Sequence, residues 1–165
     1  MMALNRFNSK EEIDTNIEKY LTFIIDGRYY AYPIRDVKEI IEMQDITEVP
    51  EFPSYAKGII NLRNIVIPVI DVRLRFNKPE HEYNAHTCII VLIINSTEIG
   101  FIVDTVDEVL DIEKSSISPP PLVGSEGHAR YIDGVGKLGD KIVLLLNSEK
   151  MLSDDDLEML ASFAQ

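Results

Sequence analysis

The sequence has few residues suited to cross-linking, base stacking or membrane insertion. It contains one cysteine, Cys88, and no tryptophan among 165 residues, so no disulfide can form within the chain. No apolar run approaches the roughly 18 residues of a membrane-spanning helix, and the N-terminus has no apolar stretch of signal-peptide length. Cys88 lies in an apolar run, residues 88–94, so we expect its thiol to be buried and inert. Because neither a signal peptide nor a membrane span is predicted, we expect a cytoplasmic protein.

Basic residues are scarce relative to acidic ones. The chain has 16 Lys and Arg against 28 Asp and Glu, a net charge of −12, which repels nucleic-acid backbones and anionic membranes unless a basic patch overrides it. The sequence shows no such patch, so we expect no nucleic-acid partner and no direct membrane insertion. Two alternatives stay open: an acidic small barrel that binds single-stranded nucleic acid, and an enzyme that uses its acidic loops.

What the sequence does contain is a series of short β-strand patterns. Aromatic and β-branched residues flank Asp26-Gly27, a pair that tolerates the positive φ angles of a tight hairpin turn. A second hairpin is predicted around Arg63-Asn64, between two strongly apolar segments. Short strands at this spacing favour small barrels, since closing a sheet removes its exposed edges.

A polar arm and two helices complete the predicted organisation. Residues 1–18 lack clear periodicity and are interpreted as a flexible arm, with a short helix around residues 10–17. After Pro33, apolar residues recur at the spacing of one helix face, which predicts a short helix after the first hairpin. Those residues are Ile34, Val37, Ile40 and Ile41. Ser153, followed by acidic residues, has the pattern of an N-cap and predicts a C-terminal helix over residues 148–163.

The second half of the sequence repeats the pattern of the first. Adding 69 to a residue number places Ala31 on Gly100, and further downstream adding 76 places Gly58 on Gly134. The larger second offset implies seven inserted residues in the Pro-rich loop between these blocks. Chance similarity between two β-rich halves is the alternative. The order shared across strand, turn and hairpin favours a duplication and therefore two lobes.

Several patterns that carry chemistry in other proteins have a simpler explanation here. Residues 134–139 match the glycine pattern of dinucleotide-binding loops, but strand-like residues follow where a helix is required, so a hairpin is predicted. Ser125 beside Glu126 lacks the strand-to-helix turn of a nucleophile, and the acidic residues 154–156 are explained by a helix start. The histidines match no zinc-site spacing; they are His81, His86 and His128. No catalytic residue, metal or cofactor is predicted.

Arg63 is the residue that packing explains least, because it lies at a hairpin tip where loops commonly carry binding function. Residues 57–73 around it resemble the signature of the CheW family of bacterial chemotaxis coupling proteins. The likeness extends over most of the chain, residues 19–160. Other segments that fit are 20–23, 37–40, 100–104 and 134–140. The same domain also occurs fused to kinase and receiver domains, for which this chain has no room, so a free-standing coupling protein is implied.

The resemblance implies a mainly β fold of two intertwined, five-stranded SH3-like barrels, in agreement with the duplication. It forms a single domain over residues 19–160, with lobes at about 19–80 and 85–147. It further implies a non-enzymatic scaffold that joins the cytoplasmic tips of chemoreceptors to the regulatory domain of the histidine kinase CheA. Such a protein is cytoplasmic and recruited to membrane receptor arrays.

The resemblance also implies two binding surfaces. The receptor-tip groove between the lobes is expected to contain Val37, Glu39, Arg63, Cys88, Gly100 and Val109. The kinase contact is expected around Met43, Ile46 and Val49 of the first lobe. One departure from the family pattern is Asn64, where glycine is usual; asparagine tolerates the left-handed backbone of such a turn, so we expect the hairpin tip to be preserved.

Overall fold

The computed structural model describes residues 16–120 and 130–164, and this part of the chain is mainly β-structure. The strands are β1 Ile17–Ile25, β2 Arg28–Pro33, β3 Val37–Glu42, β4 Ala56–Leu62, β5 Ile65–Asp71, β6 Cys88–Ile94, β7 Thr97–Val103, β8 Thr105–Glu113, β9 Ile117–Ser118, β10 Ile132–Leu138 and β11 Lys141–Leu146. The α-helices are α1 Val72–Arg75 and α2 Asp154–Phe163, and 3-10 turns occur at Ile34–Asp36, Lys114–Ser116 and Ser148–Met151.

The strands form two sheets, each built from both halves of the sequence. Barrel 1 has the order β3-β6-β7-β5-β4, and barrel 2 has the order β8-β1-β2-β11-β10-β9. The first hairpin, β1–β2, therefore lies in barrel 2 with the later strands, while β6–β7 lies in barrel 1 with the earlier ones. Barrel 1 has the five strands expected of an SH3-like lobe, and barrel 2 adds the short edge strand β9.

The duplication predicted from the sequence is confirmed in the strand register. In barrel 2, Ala31 pairs with Leu145, and in barrel 1 Gly100 pairs with Val69, which are the same positions under the two sequence offsets. The register shift in the β1–β8 pairing also recurs at the equivalent place in the β6–β3 pairing. The two halves therefore exchange equivalent strands, so that each barrel depends on both.

The hairpin turns have the backbone geometry that their sequences predict. Asp26 and Gly27 have φ angles of 52° and 77°, and Arg63 and Asn64 have φ angles of 51° and 67°. Positive φ at both central positions is the geometry of the two-residue turns that match strand twist. Asn64 therefore keeps the hairpin tip, as expected.

The helix predicted after Pro33 is wrong. Ile34–Asp36 form one 3-10 turn, and Val37–Glu42 form strand β3, which pairs with β6. The register shifts between Val37 and Glu39, and the extra residue of such a bulge brings Val37 and Ile40, three positions apart, to one face of the strand. Apolar residues on one face of a bulged strand can therefore recur at the spacing that predicts a helix.

Two other boundaries differ from the expectation. Ile17 and Glu18, assigned from the sequence to the flexible arm and, for Ile17, to a short helix, already pair with β8 in strand β1; residues 1–15 lie outside the described residues. The C-terminal helix begins at Asp154 rather than 148, because residues 148–151 form a separate 3-10 turn. The predicted cap is confirmed, since Ser153 Oγ accepts a hydrogen bond from the Asp156 N–H at 3.0 Å.

Apolar side chains form three clusters. One fills barrel 1 and includes Ile60, Ile67 and Val91, while a second fills barrel 2 around Ile112 and Val143. The largest cluster lies between the barrels and contains aromatic residues from both halves. In it, the Phe23 and Tyr32 rings stack at 5.1 Å and the Tyr32 and Phe101 rings meet edge to face at 5.6 Å.

Candidate protein-binding site

Arg63 lies at the tip of the β4–β5 hairpin, and its side chain is 65% exposed. Its Nη2 atom donates a hydrogen bond to Glu39 Oε2 at 2.5 Å. The turn is held locally by Asn61, whose Oδ1 accepts a hydrogen bond from the Asn64 N–H at 3.0 Å. The hydrogen bond with Glu39 raises the pKa of Arg63. A permanent cation is therefore displayed on a well-defined turn.

Glu39 is held on strand β3, where it pairs with Val91 of β6. Its side chain is only 18% exposed, and Ile41, two residues further along the same face, packs into the core of barrel 1. The carboxylate thus lies at the rim of an apolar barrel, where an unpaired charge is costly. Arg63 provides the pairing, so the two side chains form one surface unit.

Three other predicted groove residues are inside or near the cores. Val37 is 6% exposed and belongs to the cluster between the barrels. Cys88 is half-buried rather than buried as expected, and burial raises the pKa of its thiol although a hydrogen bond with the Val106 backbone opposes that shift. Gly100 has no room for a side chain: an added Cβ would lie 2.7 Å from Val69 Cγ1.

Val109 is the predicted groove residue that belongs to the other barrel. It lies on β8 and is 37% exposed, as is its counterpart under the repeat, Ile40 on β3. The contact of Cys88 with the Val106 backbone brings β6 of barrel 1 against β8 of barrel 2. The structure therefore places Arg63 with Glu39, and Cys88 beside the strand that carries Val109. Gly100 is packed against Val69 in the interior of barrel 1.

The residues predicted to contact a kinase lie on the segment that follows β3. Met43 and Ile46 are half-buried against the core of barrel 1. Val49 lines a surface cleft of about 500 Å³ together with Phe52 of the loop before β4, Lys57 of β4 and Glu80. These residues form a face of barrel 1, and their remaining exposed surface is available to a partner.

Sequence reasoning missed a second charged group, which lies on barrel 2. Lys141 Nζ lies 3.2 Å from an Asp107 oxygen, 3.7 Å from a Glu108 oxygen and 4.2 Å from the centre of the Tyr29 ring. Glu108 is the counterpart of Glu39 under the repeat, whereas the counterpart of Arg63 is Gly139. The cation of this second group, Lys141, therefore lies two positions beyond the counterpart of Arg63. Only the glutamate occupies the equivalent position in both repeats.

The chemical motifs rejected from the sequence have the expected structural context where they are described. Residues 134–139 belong to the β10–β11 hairpin, not to a strand–helix turn. The acidic residues 154–156 form the first turn of α2. Residues Ser125, Glu126 and His128 lie outside the described residues. Within residues 16–120 and 130–164, no group of His, Cys, Asp and Glu side chains is arranged to hold a metal ion, and no helix is long and apolar enough to span a bilayer.

Comparison with known proteins decides the family. The sequence model of the CheW-like domain matches residues 19–156. The chain belongs to the CheW-like family. It is 30% identical to the chemotaxis protein CheW of Klebsiella aerogenes, over 95% of each chain. It is 34% identical to CheW of Helicobacter pylori, over 89% of this chain and 88% of that protein.

A solved structure of the CheW-like family has the same fold. The crystal structure of the scaffolding protein TtCheW from Thermoanaerobacter tengcongensis superposes with a TM-score of 0.79 at 34% identity, covering 87% of this chain and 97% of that one. As a CheW-like protein, the chain is a non-enzymatic scaffold of chemotaxis signalling.

Proposed function

We propose that this CheW-like chain couples the cytoplasmic tips of chemoreceptors to the regulatory domain of the histidine kinase CheA. The observation that carries the proposal is the Arg63–Glu39 pair, an exposed cation on a two-residue turn that is hydrogen-bonded to a carboxylate of strand β3. A partly exposed arginine held by one carboxylate can exchange that contact for an acceptor on a partner. Arginine is also enriched among the residues that dominate protein interfaces.

The receptor surface is the groove that Val109 and Cys88 border from different barrels. Exposed apolar side chains on β3 and β8, Ile40 and Val109, lie on strands at the ends of their sheets. An apolar strip with a charged pair at its rim fits a helical receptor tip, whose apolar face would lie in the groove. The binding residues are then Val37, Glu39, Arg63, Cys88, Gly100 and Val109, with Val37 and Gly100 acting through packing.

Replacing Arg63 tests the receptor surface. We expect Arg63→Ala to weaken binding to a receptor-tip fragment by about tenfold, the loss typical of an interface residue worth 1–2 kcal/mol, while the chain stays folded as judged by circular dichroism. Arg35→Ala is the matched control, since Arg35 is also an exposed arginine paired with one glutamate, Glu18. Equal affinities of the two variants, measured by calorimetry, would contradict the proposal.

The kinase surface is the face of barrel 1 that carries Met43, Ile46 and Val49. We expect Val49→Glu to weaken binding to the CheA regulatory domain by about tenfold or more, because a charge would be desolvated in an apolar contact. Receptor-fragment binding should be unchanged. Ile142→Glu is the control, because Ile142 is an exposed apolar residue, 55% exposed, on barrel 2. Retention of kinase binding by Val49→Glu would reject this face.

The proposed location is the cytoplasm, with recruitment to receptor arrays at the membrane. Recruitment follows if the protein binds receptor tips, since those tips concentrate it. A fluorescent fusion should form clusters at the membrane in cells that contain chemoreceptors and become diffuse in cells that lack them. Clusters that persist without receptors would argue against receptor-dependent recruitment.

A further inference from the structure

A group of ion pairs lies where the two barrels meet. Arg73 donates two hydrogen bonds to Asp104, from Nε to Oδ1 at 2.8 Å and from Nη2 to Oδ2 at 2.7 Å. The Asp26 N–H donates to Asp104 Oδ2 at 2.9 Å, and Lys78 Nζ lies 3.3 Å from Asp26 Oδ2. We name these four residues, Asp26, Arg73, Lys78 and Asp104, the Arg73 cluster.

The cluster joins segments that belong to different barrels. Arg73 lies in α1, directly after β5 of barrel 1, and Asp26 lies in the turn between β1 and β2 of barrel 2. Asp104 is the single residue between β7 of barrel 1 and β8 of barrel 2. The two hydrogen bonds of a planar guanidinium fix both the distance and the orientation of the carboxylate that they hold. The pair therefore holds the chain at the point where it crosses between barrels.

Solvent has limited access to this contact. The side chains of Arg73 and Asp104 are 14% and 24% exposed. Burial alone would raise the pKa of Asp104, but the hydrogen bonds from Arg73 and from the Asp26 backbone outweigh it and hold that pKa below the ordinary value. The contact is thus an ionised, geometrically defined pair rather than a loose surface pair, which would contribute little.

The fold itself does not require this contact. Under the repeat, the counterparts of Asp104 and Arg73 are Arg35 and Glu149, in which the two charges are reversed. Arg35, in the 3-10 turn between β2 of barrel 2 and β3 of barrel 1, pairs with Glu18 of β1. Arg35 and Glu149 instead line an open cleft of about 260 Å³. One of two equivalent junctions is therefore closed by ion pairs, although both have the same strand register.

We propose that Arg73 is a positioning residue that sets the angle between the two barrels, and with it the width of the groove between Cys88 and β8. Val109 lies five residues beyond Asp104, about 16 Å along an extended strand. A rotation of about 10° at Asp104 would therefore move Val109 by about 3 Å. The effect on receptor binding rests on the proposed function, whereas the effect on the barrel angle does not.

The barrel angle is measured by the distance between spin labels on Glu42→Cys, at the end of β3, and Lys137→Cys, on β10, in a Cys88→Ser background. We expect Arg73→Gln to shift or broaden this distance distribution by about 2–4 Å, following the 3 Å displacement above. Arg73→Lys, which keeps the charge but lacks the planar two-donor geometry, should give a smaller change. Lys57→Gln is the control, because Lys57 pairs with Glu80 outside the Arg73 cluster, and it should leave the distribution unchanged.

Binding is measured with the native cysteine in place. We expect Arg73→Gln to lower the affinity for a receptor-tip fragment about fivefold, and the affinity for the CheA regulatory domain less than twofold, with Arg73→Lys between wild type and Arg73→Gln. A merely structural role predicts equal loss of both affinities in proportion to the unfolded fraction. That result would overturn the proposal, as would an unchanged label distance in Arg73→Gln.

The two proposals fail in different ways. If the wild-type chain bound no receptor fragment, the proposed function would fail, while the label distances would still test the role of Arg73. If Arg73→Gln did not fold, judged by circular dichroism, Asp104→Asn would test the same contact from the other side. An unchanged distance in that folded variant would also reject the inference.

Discussion

The two junctions between the barrels are equivalent in sequence position and backbone register but opposite in character. At the first junction, the Arg73 cluster closes the contact with charge-assisted hydrogen bonds of 2.7 and 2.8 Å. At the second, Arg35, Asp36, Asp133 and Glu149 line an open polar cleft of about 260 Å³, which we name the Asp36 cleft. The difference shows that the duplication has kept main-chain pairing while the side chains at the junctions have diverged.

The short helices that follow the equivalent hairpins differ in the same way. Asp71 caps α1, and its counterpart Asn147 caps the 3-10 turn Ser148–Met151. Two positions beyond Arg73, Arg75 lies over the rings of Tyr55 and Tyr131 at 4.3 and 4.9 Å and donates to the Met151 carbonyl oxygen. The counterpart of Arg75 under the repeat is Met151 itself. One repeat thus presents a cation where the other presents an apolar side chain.

The largest expected effect comes from truncating Met151, the apolar counterpart of Arg75. Met151 is 0% exposed, and its Sδ lies 3.2 Å from the Tyr32 hydroxyl oxygen in the cluster between the barrels. We expect Met151→Ala to lower the free energy of unfolding by about 2–5 kcal/mol, because a buried methionine leaves a cavity. Urea denaturation measures this value. A loss below 1 kcal/mol would show that the polar contacts at the junctions, and not the apolar cluster between the barrels, dominate the stability of this region.

A smaller effect on the free energy of unfolding is expected from replacing Arg75 by the residue that its counterpart position holds. Arg75→Met introduces the residue found in the other repeat. It removes two cation–π contacts and the hydrogen bond to the Met151 carbonyl, while keeping much of the apolar volume. We expect a loss of about 1–3 kcal/mol in the free energy of unfolding.

Arg130→Met is the matched control for Arg75→Met, because Arg130 lies 4.9 Å from the Tyr131 ring but is exposed. It should cost less than about 1 kcal/mol. Equal losses in the two variants would mean that the combined contacts of Arg75 with Tyr55, Tyr131 and the Met151 carbonyl stabilise the fold no more than one exposed cation–π contact does.

The sequence predicted the parts of the fold that local chemistry determines. Asp26-Gly27 and Arg63-Asn64 identify their turns because few residue pairs accept positive φ at both positions. Ser153 identifies the start of α2 because its side chain accepts a backbone hydrogen bond. The repeat offsets predicted equivalent segments, and the observed register preserves them.

The remaining features depend on contacts between distant segments. The bulge near Lys38 gives β3 the apolar spacing of a helix, and only its partner β6 reveals a strand. The exchange of hairpins between barrels was implied by the family resemblance and is not readable from periodicity. Arg63 was predicted as a binding residue because its turn is local, whereas the ion pair of Arg73 could not be predicted because Asp104, its partner, is 31 residues away.

The smallest expected effect distinguishes the junctions by the pH dependence of their aspartates. Hydrogen bonds from Arg73 hold the pKa of Asp104 below its ordinary value of 3.8 despite burial. Its contribution to stability is therefore present above pH 3.8 and is lost as the pH falls through the lower folded-state pKa. In the Asp36 cleft, burial raises the pKa of Asp36 and the charge of Glu149 adds to this, although Arg35 opposes it. Ionised Asp36 therefore destabilises the fold at neutral pH, and this cost disappears as the pH falls towards 3.8.

Asparagine substitutions at the two positions should consequently have opposite signs. At pH 7 we expect Asp104→Asn to lose about 1 kcal/mol and Asp36→Asn to gain up to about 0.5 kcal/mol in the free energy of unfolding. The gain should vanish between neutral pH and pH 4, whereas the loss should persist there and shrink only at lower pH. Urea denaturation at several pH values measures both curves. Parallel curves for the two variants would mean that the closed and open junctions are electrostatically alike, and the contrast between them would then be one of shape alone.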